Sequence, residues 1–156
     1  MAFQVADEAR RFEQRGLTMT NTTPGMVCAH HHLYSSLARG MPAPRGNTDS
    51  FISILENIWW QIDAALDLDM IYWSAALGAA EALASGTTCI IDHHESPNAI
   101  EGSLATISKA CRDVGVRVNT SYGVTDRWDN EGNLHSRVDR SAKMTSAARR
   151  GLDEGF

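Results

Sequence analysis

The chain has 156 residues, 43% of them hydrophobic and 21% charged, and a formal net charge of -5. That length suits one domain with a sizeable core, and that balance excludes an intrinsically disordered chain. The acidic charge leaves no electrostatic footprint for nucleic acid or an anionic membrane, so a small molecule is the expected partner.

No apolar run approaches the roughly 18 residues of a membrane span, and the N-terminus has no signal-like apolar stretch, so a cytoplasmic location is expected. Cys28, Cys89 and Cys111 are odd in number, widely spaced and without CxxC, which points to reduced, mostly buried thiols.

Residues 1–16 read as a peripheral helix with a charged face, stopped at Gly16. Turn chemistry follows, then Met26 to Ala29, an apolar run too short for a helix and bounded by Pro24 and Gly25, which predicts a buried strand. After a Pro/Gly loop over 40–47, Phe51, Leu55, Ile58, Ile62 and Leu66 recur at helical spacing, with Asp49 or Ser50 placed to cap. An alanine-rich helix is predicted over 69–85, closed by Gly86, and the β-branched run Thr87 to Asp92 predicts a fully buried strand. Ile100, Leu104, Ile107, Cys111 and Val114 define a third helix ending at Gly115, and Val116 to Tyr122 reads as the next strand. Strand, helix, strand in that order requires a parallel sheet. The polar tail from Arg127 carries a loose helical pattern through Val138, Met144, Ala148 and Leu152.

His30, His31 and His32 stand at the C-terminal end of the first predicted strand. Alternate strand residues share a face, so His30 and His32 converge while His31 points away. Two neutral imidazoles at that spacing can share a divalent ion at about 2.0 to 2.1 Å each, which is part of the three-ligand set of a catalytic zinc site. The competing reading is two hydrogen-bonded or exposed histidines without metal. The C-terminal end of a parallel strand, where loops converge, favours the functional reading.

The stretch PGMVCAHHHLYSSLARG resembles the first-strand motif of the amidohydrolase superfamily, PGxxxxHxH. FISILENIWWQIDAALD, EALASGTTCIIDHHESPNAIEGSL and DVGVRVNTSYGVTDR resemble, in order, later segments of its cytosine- and guanine-deaminase-like (ATZ/TRZ-type) branch, most closely the SsnA-type aminohydrolases. The resemblance covers roughly residues 23 to 128. Its GTTxxxDHHxSP run is far more specific than His-x-His alone.

The resemblance implies an α/β fold: a partial (β/α)8 barrel of about three βα units, spanning 23–156, preceded by an atypical segment over 1–22. It implies His30 and His32 as ligands of one divalent metal, zinc with iron or manganese as alternatives, and His31 turned outward. Cys28 is expected on the inner face as core filling. His93 or His94 is implied in substrate contact or support, with Asp92 ordering the loop. Arg39 is a candidate for a substrate carbonyl or a surface ion pair, and of Trp59 and Trp60 one is expected in the core and one in the pocket wall. His135 has no supporting context as a further ligand.

The implied reaction is deamination of a heterocyclic amine by metal-activated water, or chlorohydrolase-type displacement on the same scaffold. The family's further ligands and proton shuttle come from later strands, and a whole barrel takes about 250 residues. The sequence is therefore expected to be a truncated chain whose alternative role is an inactive fragment, or a subunit pairing with a missing barrel half or with itself. A small metal-binding protein using His30, His32 and the Asp92 to Glu95 loop is a third reading.

Overall fold

The computed structural model describes residues 23–44, 46–129, 131–134 and 144–156. The predicted N-terminal helix and His135 lie outside them.

Three parallel strands form one open sheet in the order β1-β2-β3: β1 Met26–His31, β2 Thr87–His94 and β3 Arg117–Tyr122. A 3-10 helix, Leu33–Ala38, leaves β1. The first long helix, α1, is continuous but changes pitch, running as α over Phe51–Ile54, as π over Leu55–Trp59 and as α again over Trp60–Ala65. Ser50 caps it by a reciprocal bond with Ser53. Helix α2, Leu68–Ala84, starts at Asp67, whose carboxylate accepts the Met70 N–H at 2.7 Å. Helix α3, Ser103–Val114, ends at Gly115 with φ +102°, a left-handed position that favours glycine.

Helix α4, Ser146–Glu154, realises the end of the predicted tail pattern. Its Glu154 carboxylate accepts the N–H groups of Gly102 and Leu104 at 2.8 and 2.9 Å, which places a negative charge on the N-terminus of α3.

The main core lies between the sheet and helices α2 and α3, where Leu33, Ile71, Ile90 and Ile107 are fully buried. Burial of each such side chain is worth about 1.5 to 3 kcal/mol. Trp60, Ile100, Trp128 and Ala147 form a second cluster at the strands' C-terminal end, where Trp60 lines the cleft.

The pairing of β1 with β2 shifts register twice, between Met26 and Val27 and again between Cys28 and His31. Cys28 pairs with Ile90 and His31 with Asp92, so three steps on β1 oppose two on β2. This bulge inserts one extra residue and inverts the phase of the strand. Cys28 consequently packs on the helix side with the main core, as the expected filler but on the opposite face from the one expected.

Candidate metal and substrate site

Beyond the bulge, His30 and His32 emerge together. Their Nε2 atoms are 3.1 Å apart and their rings nearly perpendicular, at 88°. Two nitrogens bound to one tetrahedral ion at about 2.05 Å stand about 3.3 Å apart, so the pair is already close to the spacing a shared ion demands.

The second nitrogen of His32 fixes its protonation. Its Nδ1 lies 3.0 Å from the His93 carbonyl, which can only accept, so Nδ1 carries the hydrogen and Nε2 of the neutral ring keeps its lone pair, which accepts a hydrogen bond from His30 Nε2–H. An imidazole held this way by a backbone carbonyl has the arrangement of a metal ligand with its outer partner in place. Among the described residues no group of three or more His, Cys, Asp or Glu side chains is placed to hold a metal. His30 and His32 thus present two nitrogen donors to the cleft, fewer than a catalytic zinc site uses.

The other side of the strands has a different chemistry. Asp92, 2% exposed, accepts the Leu33 N–H at 2.7 Å through Oδ1 and the Thr120 hydroxyl at 2.9 Å through Oδ2, tying the exit of β1 to β3 through β2. It orders the loop, as expected, and burial raises its pKa. His31 faces this side, and burial lowers its pKa.

His94 is fully buried between Tyr34 and Tyr122. Because the Ser96 hydroxyl donates to the Ala99 carbonyl at 2.7 Å, His94 Nε2–H must donate to Ser96 Oγ at 2.8 Å. Burial, and secondarily His93, pushes its pKa down to about 3. This ring is neutral and sits behind the site. Arg39 pairs with Glu81 at 2.6 Å on the surface. Neither His94 nor Arg39 lines the cleft; His93 does, with its ring 5.4 Å from that of His32.

The cleft has a volume of about 340 Å³ and contains both histidines. One wall is α1. A π-helix takes more residues per turn than an α-helix, so Leu55, Trp59, Trp60 and Asp63 all reach the cleft from one face. Both tryptophans thus contribute to the wall, with Trp60 also in the core.

The lining also holds an ion pair in which Arg127 Nη2 donates to both Glu95 oxygens, at 2.9 and 3.1 Å, while the guanidinium lies 4.6 Å from the Trp60 ring. Asp63, 2% exposed, has its pKa raised to about 7 by burial and by the Glu95 charge, against a lowering hydrogen bond with Tyr34. One cleft carboxylate is thus balanced by Arg127, and the other is held well above the usual carboxylate range.

Gly123 completes the mouth. A Cβ there would fall 2.7 Å from both His93 Nε2 and Glu95 Cγ, so only glycine lets β3 approach these side chains.

Tyr34, Asp63, Arg127 and Gly123 were not singled out by the sequence. For Asp63 a signal existed, namely an acidic residue set beside Ile62 in an otherwise apolar helical stripe.

Comparison with known proteins agrees with this geometry. The model of the amidohydrolase family matches residues 21–156. The chain is 31% identical over 109 residues to a 5-methylthioadenosine/S-adenosylhomocysteine deaminase of Thermococcus sibiricus, covering 70% of this chain and 23% of that protein. It is 35% identical over 112 residues to a 5'-deoxyadenosine deaminase of Methanobrevibacter smithii, covering 72% of this chain and 23% of that protein. The chain thus spans about a quarter of the length of these curated relatives.

Among solved structures, the zinc complex of atrazine chlorohydrolase TrzN from Arthrobacter aurescens TC1 superposes with a TM-score of 0.54 at 22% identity, covering 73% of this chain and 26% of that one. That likeness concerns the fold: the three parallel strands and their helices are an open part of a (β/α)8 barrel. With the family match running from before β1 through α4, the chain belongs to the amidohydrolase family.

Proposed function

We propose that this chain contributes the first half of a metal-dependent site for hydrolytic deamination of a heterocyclic amine, with His30 and His32 as metal ligands. The observation that carries this reading is the 3.1 Å approach of their Nε2 atoms, with the lone pair of His32 set by the His93 carbonyl. The names of the relatives supply the reaction class, and 5'-deoxyadenosine and 5-methylthioadenosine are its first candidate substrates.

A bound divalent ion, zinc first with iron or manganese as alternatives, supplies the acidity that makes water a nucleophile near neutral pH. The chain's own residues do the rest. Trp59, Trp60 and Leu55 present a flat apolar wall to a heterocycle, and His93 stands at the mouth for substrate contact. Asp63, with its pKa raised to about 7, can accept or donate a proton to a ring or side-group atom, and Arg127, held by Glu95 over Trp60, adds a positive charge to the lining. Hydrolysis forms a C–O bond from water and breaks the exocyclic C–N bond, and the amine leaves as ammonia.

A second reading rests on donor count. Two imidazoles are fewer than the three protein ligands of a catalytic zinc site, and no third joins them among the described residues. On that reading the chain binds metal weakly and turns over only when combined with further barrel strands.

The deciding assay measures ammonia and chloride release from 5'-deoxyadenosine, 5-methylthioadenosine, guanine, cytosine and a chlorinated triazine, with zinc, iron or manganese supplied. Metal-dependent ammonia release that His30→Ala and His32→Ala each abolish supports the first reading. Weak metal binding with no turnover supports the second. Turnover that survives both substitutions overturns the assignment.

A further inference from the structure

We propose that the outer face of α2 is a two-fold seam for a second copy of this chain. The helix buries Ile71, Ala75 and Ala79 against the sheet and α3, all with no exposed surface. On its opposite face Met70, Trp73 and Leu77 are 47%, 57% and 37% exposed, and Ala80 and Ala84 continue the same line in solvent.

Their spacing of three, four, three and four residues is the repeat by which one helix seats against another. The line lies opposite the sheet, so it is separate from the packing that builds the domain.

The order of sizes selects the occupant. The bulky side chains occupy the first half of the stripe and the alanines the second. Two copies laid parallel would set Trp73 against Trp73 and alanine against alanine, giving collision at one end and a gap at the other.

Laid antiparallel about an axis between Leu77 and Ala80, the copies set Trp73 opposite Ala84 and Leu77 opposite Ala80, twice over. The four layers built by Trp73, Leu77, Ala80 and Ala84 then each join a large side chain to a small one, the complementarity that dense packing requires, while Met70 lies beyond the last layer at each end. The stripe is thus complementary to itself under the operation that closes a dimer.

The charges agree. Asp69 of each copy lies at opposite ends of the seam, and Glu81 on the flank is already held by Arg39. No like charges meet. A seam made by one helix of 17 residues is short, so association is expected at roughly micromolar concentrations, at the weak end of specific interfaces.

Sedimentation velocity on the 156-residue chain, from low micromolar to several hundred micromolar, tests this directly. The wild type should pass from monomer to dimer, and Trp73→Glu should remain monomeric at every concentration with an unchanged far-ultraviolet spectrum.

Ala84→Trp separates a built seam from general stickiness. It adds apolar surface, yet it should also abolish the dimer because it fills the space opposite Trp73; stronger association would overturn the proposal. A Trp73→Cys, Ala84→Cys double variant should crosslink position 73 of one copy to position 84 of the other, and a 73-to-73 link would overturn the antiparallel arrangement. A wild type that stays monomeric throughout would overturn the seam itself. So would Trp73 shielded from oxidative labelling in the monomer and released by deleting residues 1–22, because a segment of the same chain would then cover the face.

Discussion

His30, His32 and His93 on one side of the sheet, and His31, Asp92 and His94 on the other, are drawn from the same two strand ends and the same residue types, yet they meet opposite surroundings. The first group borders an open cleft, with the two Nε2 atoms of β1 converging and one of them held as a lone pair. In the second group Asp92 and His94 spend their hydrogen bonds internally, on Leu33, Thr120 and Ser96. What separates them is strand phase: one step along a strand moves a side chain from the cleft to the core. Histidine in a strand-end cluster is therefore evidence of chemistry only after its face is known.

The contrast predicts that substituting Asp92 or His94 behind the sheet acts on stability, whereas substituting His30 at the cleft acts on metal binding. The largest effect is expected at Asp92. Asp92→Ala leaves the buried Leu33 N–H and Thr120 hydroxyl without their acceptor and should cost about 3 kcal/mol in urea denaturation. A loss below about 1 kcal/mol would mean the two sides are not distinct in this way.

The next effect is on pH. The pKa of His94 falls from 6.5 to about 3 on folding, so its contribution is complete above pH 6.5 and is lost as pH falls toward 3. Asp63 has the opposite sign. Its pKa rises from 3.8 to about 7 on folding, so its contribution is complete below about pH 4 and is lost as pH rises through 7. Asp92, also raised, acts with Asp63.

Between about pH 4 and 6.5 the mouth carboxyl and the buried imidazole oppose each other. Asp63→Asn should make stability fall more steeply on acidification, by about 1.4 kcal/mol per pH unit relative to wild type, and His94→Gln should make it rise. Denaturation midpoints across that range check both signs, and identical slopes in all three proteins would refute the assignment.

A smaller effect is expected at the mouth's backbone. Gly123→Ala drives a methyl group into His93 and Glu95 and should cost about 1 to 2 kcal/mol while displacing the His93 ring, a shift visible in its imidazole NMR signals. His30→Ala should be nearly neutral for stability, because the residue is exposed, and should act on metal binding alone.

The layout of this contrast was largely legible in the sequence. Apolar runs ending in GTTxxxDHH, helical spacing between them and Gly115 at a helix end specify three parallel strands with intervening helices, and the structure realises them. Alternation put His30 and His32 together and His31 apart, as found.

The bulge between Cys28 and His31 was hidden because it involves no glycine or proline to mark it, and it displaced Cys28 to the helix side. The π turn of α1 left no mark in residue spacing either, so the joint presentation of Trp59 and Trp60 could not be read. Glu95 and Arg127 meet across 32 residues of chain, a pairing that only the closure of β2 on β3 creates. Between His93 and His94 the sequence left the choice open. Burial of His94 against Ser96 is the tertiary fact that separates them.

In the proposed function His30 and His32 bind one metal ion through Nε2 while His31 and His94 take no part. A zinc titration of the 156-residue chain followed by imidazole 15N NMR tests it most directly. The Nε2 signals of His30 and His32 should shift together at one equivalent of zinc, the His94 signals should stay fixed, and the shift should disappear in His30→Ala and His32→Ala but survive in His31→Ala. Zinc-dependent shifts at His31 or His94, or binding that persists without His30 and His32, would contradict it.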